Sequence, residues 1–403
     1  MPPPFAGLTV VEYAQFIAGP YCGKLLAGLG ARVVKIEPPG GGDAARRYGP
    51  FPEDVPHQEK SGLFLFLNTN KQSVTLDPAT PSGRELFHKL AVKADVLVED
   101  TTPGTMEKLE LDYGSLRKTN PGLVFVSITP YGQYGPRAGW KAHHVNTFHA
   151  SGEGYTLPGG ATFSVFPDRA PVVAGVHLGE YDAGLIAASG AVAALYAREI
   201  WGTGQHVDVS KQESTLGMNR LMLTQAQADG EVVDRSRSYV YGGIFPCRDG
   251  YVMIYPREDR QWNALVKIMG KPELAESEYF CTRDARIQHA GEVNRLIAQW
   301  TANLGKDEIY SRVAPSGCPT ALFATSEDVY RSPQLQARQF FSSLDHPQAG
   351  KLLYPGLPYK LANASPDPAR PAPLLGQHNA EVFCDELGLS HDELSGLRKG
   401  SVV

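Results

Sequence analysis

The sequence predicts an α/β fold with a parallel sheet, because short β-branched runs alternate with helical stretches through its first third. Residues 8–12 and 31–36 are typical of strands, and the small-residue segment 18–30 between them is typical of a helix ended by glycine. Alternation of this kind places helices on both faces of a parallel sheet.

The alternation continues along the chain. We predict a helix over 81–94, a strand over 95–99, a helical region over 105–118, and strands over 123–129 and 205–210, followed by helices over 211–228 and 380–387. A longer helix over 181–200 has an alanine- and glycine-rich face that favours close packing against another backbone. Charged residues interrupt the pattern from about residue 229, where we place a domain boundary.

Composition limits the function classes. The chain has 403 residues and 42% hydrophobic content, and 38 basic residues face 43 acidic ones for a formal charge of -5. This balance provides no global basic field for nucleic acid or an anionic membrane. There is no run of 18 uninterrupted apolar residues and no pattern of a secretory signal, so we expect a cytoplasmic protein. The five cysteines are far apart in sequence, and we expect free thiols without a metal site.

Two common nucleotide-binding motifs are missing from the sequence. No G-x-G-x-x-G follows the first predicted strand, and no G-x-x-x-x-G-K-[ST] occurs anywhere. A nicotinamide or P-loop function is therefore disfavoured.

Several short segments, in order along the chain, carry a family resemblance. They are G-L-T-V-V-E at 7–12, A-G-P at 18–20, L-G-A at 29–31, V-K-I-E-P at 34–38 followed by G-G-G-D at 40–43, N-K-Q-S at 70–73, D-V-L-V-E at 95–99, G-T-G-Q-H-V-D-V-S at 202–210, P-Q-L-Q-A-R at 333–338 and L-G-Q-H at 375–378. In this order they resemble the CaiB/BaiF family, the family III CoA-transferases, which are related to formyl-CoA transferase and α-methylacyl-CoA racemase.

The resemblance implies an architecture that the pattern of strands and helices does not supply. It implies a Rossmann-like large domain formed by residues 1–230 and 336–403, with a smaller α+β domain inserted over 239–335. It also implies an interlocked homodimer, with a paralogous subunit as an alternative partner. The implied substrates are an acyl-CoA and a carboxylic acid acceptor, with no permanently bound cofactor and no metal.

The resemblance also implies a nucleophile. Transferases of this family carry an aspartate before the central helix, and Gly179-Glu180-Tyr181-Asp182 places Glu180 in that position. A carboxylate there attacks the acyl-CoA thioester and becomes a covalent CoA carrier. At a helix N-terminus, Glu180 would be kept ionised by the helix dipole. Asp182 is a fallback nucleophile, although a helical turn directs it about 200° away.

His143 is the second catalytic candidate. It aligns with the histidine of the related α-methylacyl-CoA racemases, whereas we expect His144 and His149 to be structural or rim residues. A His143 and Glu180 pair would suit proton exchange at the α-carbon of a thioester, so racemase or isomerase activity is an alternative to CoA transfer. A third alternative is a non-catalytic subunit of a heteromeric transferase, because glutamate replaces aspartate in the nucleophile position.

The resemblance implies CoA contacts from one loop and four cations. The loop residues are Gln15, Phe16, Ile17 and Ala18, and the cations are Arg46, Arg47, Lys71 and Lys108. Coenzyme A carries a 3′-phosphate and a pyrophosphate, which need charge-assisted donors. The loop would border the pantetheine and thioester, with backbone amides available to an oxyanion.

Overall fold

The computed structural model describes residues 2–157, 168–218, 224, 226–228, 230, 241–362 and 370–403. The chain folds into two compact units. The first contains residues 1–153, 174–220 and 334–403, and the second contains residues 154–173 and 221–333.

The first unit is built on a six-stranded parallel sheet. Its strands are β1 (Thr9–Tyr13), β2 (Arg32–Glu37), β3 (Gln72–Thr75), β4 (Val96–Glu99), β5 (Val124–Thr129) and β6 (His206–Ser210). They lie in the order β3-β2-β1-β4-β5-β6, and every adjacent pair is parallel. This is the strand order of a Rossmann-like sheet, with its reversal point between β1 and β4. The predicted mixed α/β fold with a parallel sheet is confirmed.

Hydrophobic residues on both faces of these strands explain why the sheet is central. Val10 belongs to a core cluster on one face, and its neighbour Val11 belongs to a separate cluster with Val34 and Leu97. Successive strand residues point to opposite faces, so continuous apolar runs place a core on each side.

Helices cover this sheet. In chain order the helices of this part of the chain are α1 (Ala18–Gly28), α2 (Gly62–Leu67), α3 (Pro81–Val92), α4 (Thr105–Lys108), α5 (Tyr113–Leu116), α6 (His144–Ala150), α7 (Glu153–Thr156), α8 (Leu178–Trp201) and α9 (Lys211–Met218). Of these, α7 belongs almost entirely to the second unit. The predicted helical region over 105–118 is thus two short helices. Glu110, between them, has a positive φ of 56° that interrupts the helical backbone.

Helix α8 corresponds to the predicted helix over 181–200 and packs closely on α1. A Cβ added at Gly184 would lie 2.6 Å from the carbonyl oxygen of Ala18, so glycine permits the close approach. Among the described residues, α8 is also the one helix long and apolar enough to cross a membrane. Of its most apolar 18-residue stretch, 39% is buried inside the protein. Ala183, Ala187 and Ala191 belong to the core of the first unit, which accounts for part of that apolar character.

The second unit has its own sheet and core. Strands β7 (Gly243–Cys247), β8 (Gly250–Ile254) and β9 (Thr320–Leu322) form an antiparallel sheet. Its helices are α10 (Asp259–Ile268), α11 (Arg283–Gln288), α12 (Ala290–Thr301), α13 (Lys306–Val313) and α14 (Ser326–Arg331). The core surrounds the fully buried Trp262.

The C-terminal segment completes the first unit. It contains α15 (Pro333–Ala337), the hairpin β10 (Phe341–His346) and β11 (Gly350–Pro355), a π-helix (Glu381–Glu386) and α16 (His391–Lys399). The helical segment predicted over 380–387 is present as the π-helix. A last helix, α16, was not predicted, although its capping box of Ser390 and Glu393 is visible in the sequence.

Candidate active site

Glu180 is the third residue of α8 and lies in its first turn. Its side chain is only 6% exposed. His177 immediately precedes the helix with a left-handed φ of 58°, and its carbonyl accepts a hydrogen bond from the Glu180 amide. The open amides and the dipole of a helix N-terminus favour a negative charge at this position.

Glu180 forms an ion pair with Lys211. Lys211 is the first residue of α9, immediately after β6, and its Nζ lies 2.7 Å from Glu180 Oε2. Among the residues that the structure describes, no donor contacts the second oxygen, Oε1. Within the described residues the carboxylate is therefore anchored through one of its two oxygens.

His144 joins the N-terminus of α8 to α6. Its Nε2 accepts a hydrogen bond from the Gly179 amide at 3.1 Å, so the imidazole must be neutral with its proton on Nδ1. Burial lowers the pKa of His144 below its usual 6.5, although the Glu180 charge opposes that shift. The neutral ring thereby satisfies a free amide next to the Glu180 backbone.

Four aromatic rings lie beside this helix end. The ring of His177 contacts the rings of Phe16 and Tyr48 at centroid distances of 5.2 and 5.6 Å. The Tyr48 hydroxyl lies 3.0 Å from His177 Nε2. The His177 ring also contacts His144, with their centroids 5.5 Å apart. Together these rings form a largely apolar surface near Glu180, and its polar atoms are the Tyr48 hydroxyl and the imidazole nitrogens.

The loop after β1 brings Phe16 to these rings. Phe16 has a φ of 67°, which is unusual for a bulky residue and frequent at functional sites. Its amide donates to Asp43 Oδ1 at 2.9 Å, and the Gln15 amide donates to Asp100. The loop follows the carboxyl end of β1 and Asp100 follows that of β4, so both lie at the reversal point of the sheet, where α/β folds bind ligands. Burial raises the pKa of Asp100 to about 8, opposed by the nearby Lys211 charge.

Comparisons with known proteins identify the family. A family model described as CoA-transferase family III matches residues 5–379. The chain belongs to this family. It is 34% identical over 412 residues to the succinyl-CoA–D-citramalate CoA-transferase of Chloroflexus aurantiacus, covering 100% of this chain and 98% of that protein. It is 32% identical to the succinyl-CoA–L-malate CoA-transferase beta subunit of the same organism, covering 99% and 98% respectively.

A solved structure agrees with this assignment. The crystal structure of a CaiB/BaiF family protein from Brucella suis matches with a TM-score of 0.85 and 30% identity, over 96% of this chain and 100% of that one. The resemblance inferred from the sequence motifs is confirmed. The chain is a family III enzyme of acyl-CoA:carboxylate CoA transfer.

Within this CoA-transferase, the two adjacent histidines have different surroundings. His143 is exposed and precedes α6, where its amide donates to Asn146 Oδ1. His144 is buried and contacts the residue before Glu180. The histidine that lies against the backbone next to Glu180 is thus His144, whereas the resemblance selected its neighbour His143.

Two of the four predicted CoA cations are fully buried. Arg46 forms a two-point ion pair with Glu37, at 2.7 and 2.8 Å, and a further pair with Glu59 at 2.6 Å. Lys71 Nζ donates to Glu12 Oε2, to the Pro20 carbonyl and to Asn68 Oδ1. A buried cation cannot meet a phosphate without leaving such partners.

The other two predicted cations are exposed. Lys108 ends α4. Arg47 lines a surface cavity of about 360 Å³ together with Gly40, Phe51 and His57. Its Nη1 donates to the Gly41 carbonyl at 2.7 Å, which leaves other guanidinium hydrogens for an anion. Among the described residues, no group of three or more His, Cys, Asp or Glu is arranged to hold a metal ion.

Sequence reasoning missed Lys211, Tyr48 and His177. Lys211 directly follows the last residue of a predicted strand, and side chains at the carboxyl ends of parallel strands meet at one edge. That rule could have selected Lys211. Nothing in the local sequence of Tyr48 or His177 indicates that their rings meet, because they lie 129 positions apart.

Proposed function

We propose that this enzyme transfers CoA from an acyl-CoA to a carboxylic acid through a covalent intermediate on Glu180. The observation that carries the proposal is the buried Glu180 carboxylate, paired through Oε2 with Lys211 and positioned by the first turn of α8. Positioning of this kind supplies a large part of the rate enhancement of covalent catalysis.

The reaction begins when Glu180 Oε1 attacks the thioester carbonyl and CoA leaves as a thiolate. The resulting mixed anhydride is attacked at the Glu180 carbonyl by that thiolate. The first acid departs as a carboxylate, and Glu180 carries CoA as a thioester. An acceptor carboxylate then repeats the steps in reverse, which yields a new acyl-CoA and a free Glu180.

We assign CoA binding to the loop of Gln15, Phe16, Ile17 and Ala18 and to the exposed cations Arg47 and Lys108. The Gln15 and Phe16 amides already donate to carboxylates. The first amides of α1, which begins at Ala18, have no acceptor within their own helix, so they suit the oxyanion of the attacked thioester. Arg46 and Lys71 act indirectly by holding the strands from which the loop emerges.

The proposed assembly is an interlocked homodimer, with the second compact unit as an inserted small domain. Helix α8 supports it, because several of its large apolar side chains are exposed: Leu185, Ile186, Val192, Tyr196, Ile200 and Trp201. Exposed apolar patches of this extent mark interaction surfaces. A paralogous partner subunit is the alternative, since one relative is a beta subunit. A cytoplasmic location fits the intracellular supply of CoA thioesters.

The test is a CoA-transfer assay with succinyl-CoA as donor and L-malate, D-citramalate and other small acids as acceptors. We expect ping-pong kinetics with the purified chain alone, and loss of transfer in Glu180→Gln. Transfer that persists in Glu180→Gln, or that requires a second subunit, contradicts the proposal. Deuterium entry at the α-carbon without any acceptor acid would favour the racemase alternative.

A further inference from the structure

Lys211 differs from Lys35 and Lys71, two fully buried lysines of the first unit, in how many acceptors it meets. Lys35 Nζ contacts Glu12 Oε1, the Ala14 carbonyl and Asp43 Oδ2, all within 2.8 Å. Lys71 Nζ likewise has three acceptors. The Lys71 ammonium therefore uses all three of its hydrogens, and the Lys35 ammonium donates two hydrogen bonds and forms an ion pair with Asp43.

Lys211 Nζ contacts one acceptor, Glu180 Oε2, within the part of the chain that the structure describes. Its side chain is 17% exposed, compared with 0% for Lys35 and Lys71. Two of its three hydrogens thus remain for a ligand that enters beside Glu180. Since an ammonium prefers a charged oxygen acceptor, that ligand is expected to be a carboxylate.

The charge balance of the proposed reaction identifies that carboxylate. Before reaction the negative charge is on Glu180. It moves to the CoA thiolate when the anhydride forms, and then to the departing acid when Glu180 becomes a neutral thioester. One negative charge is conserved throughout, and at the thioester stage Lys211 has lost its only described partner.

We propose that Lys211 exchanges partners during each half-reaction, holding Glu180 in the free enzyme and the carboxylate of the free acid in the CoA-loaded enzyme. This inference rests on the proposed function of Glu180. It makes Lys211 the acceptor-binding cation and explains why its remaining hydrogens face no other carboxylate or carbonyl among the described residues.

Partner exchange keeps a cation beside a carboxylate at both ends of each half-reaction. A departing acid that stayed unpaired beside the neutral thioester would be a poorly solvated anion, and an unpaired Lys211 would be a poorly solvated cation. The same cation then orients the acceptor oxygen toward the Glu180 thioester for the return attack.

The test compares a charged and a neutral acceptor. The glutamyl-CoA form of the enzyme is prepared with succinyl-CoA and freed of succinate, and loss of CoA from Glu180 is followed as succinyl-CoA formed with succinate or as free CoA released by hydroxylamine. In Lys211→Met we expect the KM for succinate to rise by about tenfold or more, with the rate of attack by hydroxylamine changed little. Lys211→Arg should recover most of the succinate affinity, and Lys118→Met, at an exposed lysine, should behave as wild type.

The outcomes separate this inference from the proposed function. An unchanged KM for succinate in Lys211→Met, or equal losses with succinate and hydroxylamine, overturns partner exchange while leaving Glu180 as nucleophile. Absence of the adduct in the wild-type enzyme overturns the nucleophile itself. Should Lys211→Met fail to fold, Lys211→Gln carries the same comparison, because it keeps a donor without the charge.

Discussion

Two groups of charged side chains in the first unit show opposite uses of ion pairs. In the group around Glu12, whose oxygens meet Lys35 and Lys71, every charged side chain is fully buried. In the pair of Glu180 and Lys211, one oxygen and two ammonium hydrogens lack partners among the described residues. A buried network of paired charges fixes the backbone, whereas the unsaturated pair at the end of α8 is the one to which we assign the chemistry.

The two groups are connected through Asp43. Its Oδ2 pairs with Lys35, and its Oδ1 accepts the amide of Phe16, whose ring contacts His177 beside the helix that carries Glu180. The buried network therefore holds the loop that faces the reactive pair. Mutations in the first group should change stability, and mutations in the second should change chemistry.

The largest expected effect is on chemistry. Glu180→Gln should lower CoA transfer by about three orders of magnitude or more, because the amide cannot form the anhydride. The melting temperature should fall less than in Glu12→Gln, because Lys211 is partly exposed and the glutamine oxygen can still accept a hydrogen bond from it. Steady-state transfer assays check the loss, and Glu213→Gln, an exposed acid in the first turn of α9, serves as the control. Substantial transfer by Glu180→Gln would remove the distinction between the two groups.

Glu12→Gln should show the opposite pattern. It removes the carboxylate that pairs with Lys71 and one of the two carboxylates that pair with Lys35, and loss of one partner of a buried ion pair costs about 3–5 kcal/mol. Denaturant unfolding measures this change in the free energy of unfolding. Glu85→Gln breaks the exposed pair with Lys89 and should leave stability unchanged. Equal effects of the two variants would contradict the role assigned to the buried network.

Asp100 interacts electrostatically with both groups, through Lys211 and Asp43. Its pKa of about 8 in the folded protein exceeds the usual 3.8, so the folded state binds the proton more tightly and wild-type stability falls as pH rises between these values. Asp100→Asn should therefore raise the melting temperature, by at least about 2 °C at pH 9, and the gain should shrink toward pH 4. A gain in melting temperature that did not depend on pH would argue against this account. So would an equal gain in Asp392→Asn, a variant at an exposed aspartate.

The smallest expected effect concerns His144. Because its pKa is lowered in the folded protein, the unfolded state takes up a proton first as pH falls below about 6.5. The stability that neutral His144 contributes is fully present above that pH and is lost as the pH falls through the pKa of His144 in the folded protein. The melting temperature of His144→Gln should depend less on pH between 7.5 and 5 than that of wild type. The exposed His149→Gln should retain the wild-type slope, and identical slopes for all three proteins would show that His144 is not involved.

Much of the fold follows from local patterns, because strand and helix periodicity depends on neighbouring residues. Strands β1, β2, β4, β5 and β6 lie within about one residue of their predicted bounds. The pairing of charges does not follow in this way. Arg46 and Lys71 are visible as cations, yet Glu12, the partner of Lys71, lies 59 positions earlier, and Glu37, nine positions before Arg46, meets it only through the fold of the loop after β2.

The candidate site shows the same limit. The position of Glu180 at a helix N-terminus was predictable from the motif and the helix pattern. The different surroundings of His143 and His144 were not predictable, because His143 precedes α6 in an extended conformation, whereas His144 begins the helix and is buried against the N-terminus of α8. Lys211 was overlooked because its partner lies 31 positions earlier, in a different helix.

The most direct test of the account follows oxygen atoms. Wild-type enzyme is cycled with succinyl-CoA and an acceptor acid whose carboxylate carries oxygen-18, and the peptide containing Glu180 is then analysed by mass spectrometry. If the acceptor carboxylate attacks a Glu180 thioester, one of its oxygens remains on Glu180, and this peptide gains oxygen-18 while the peptide containing Asp100 does not. Turnover that leaves the Glu180 peptide at its natural mass would contradict the central claim.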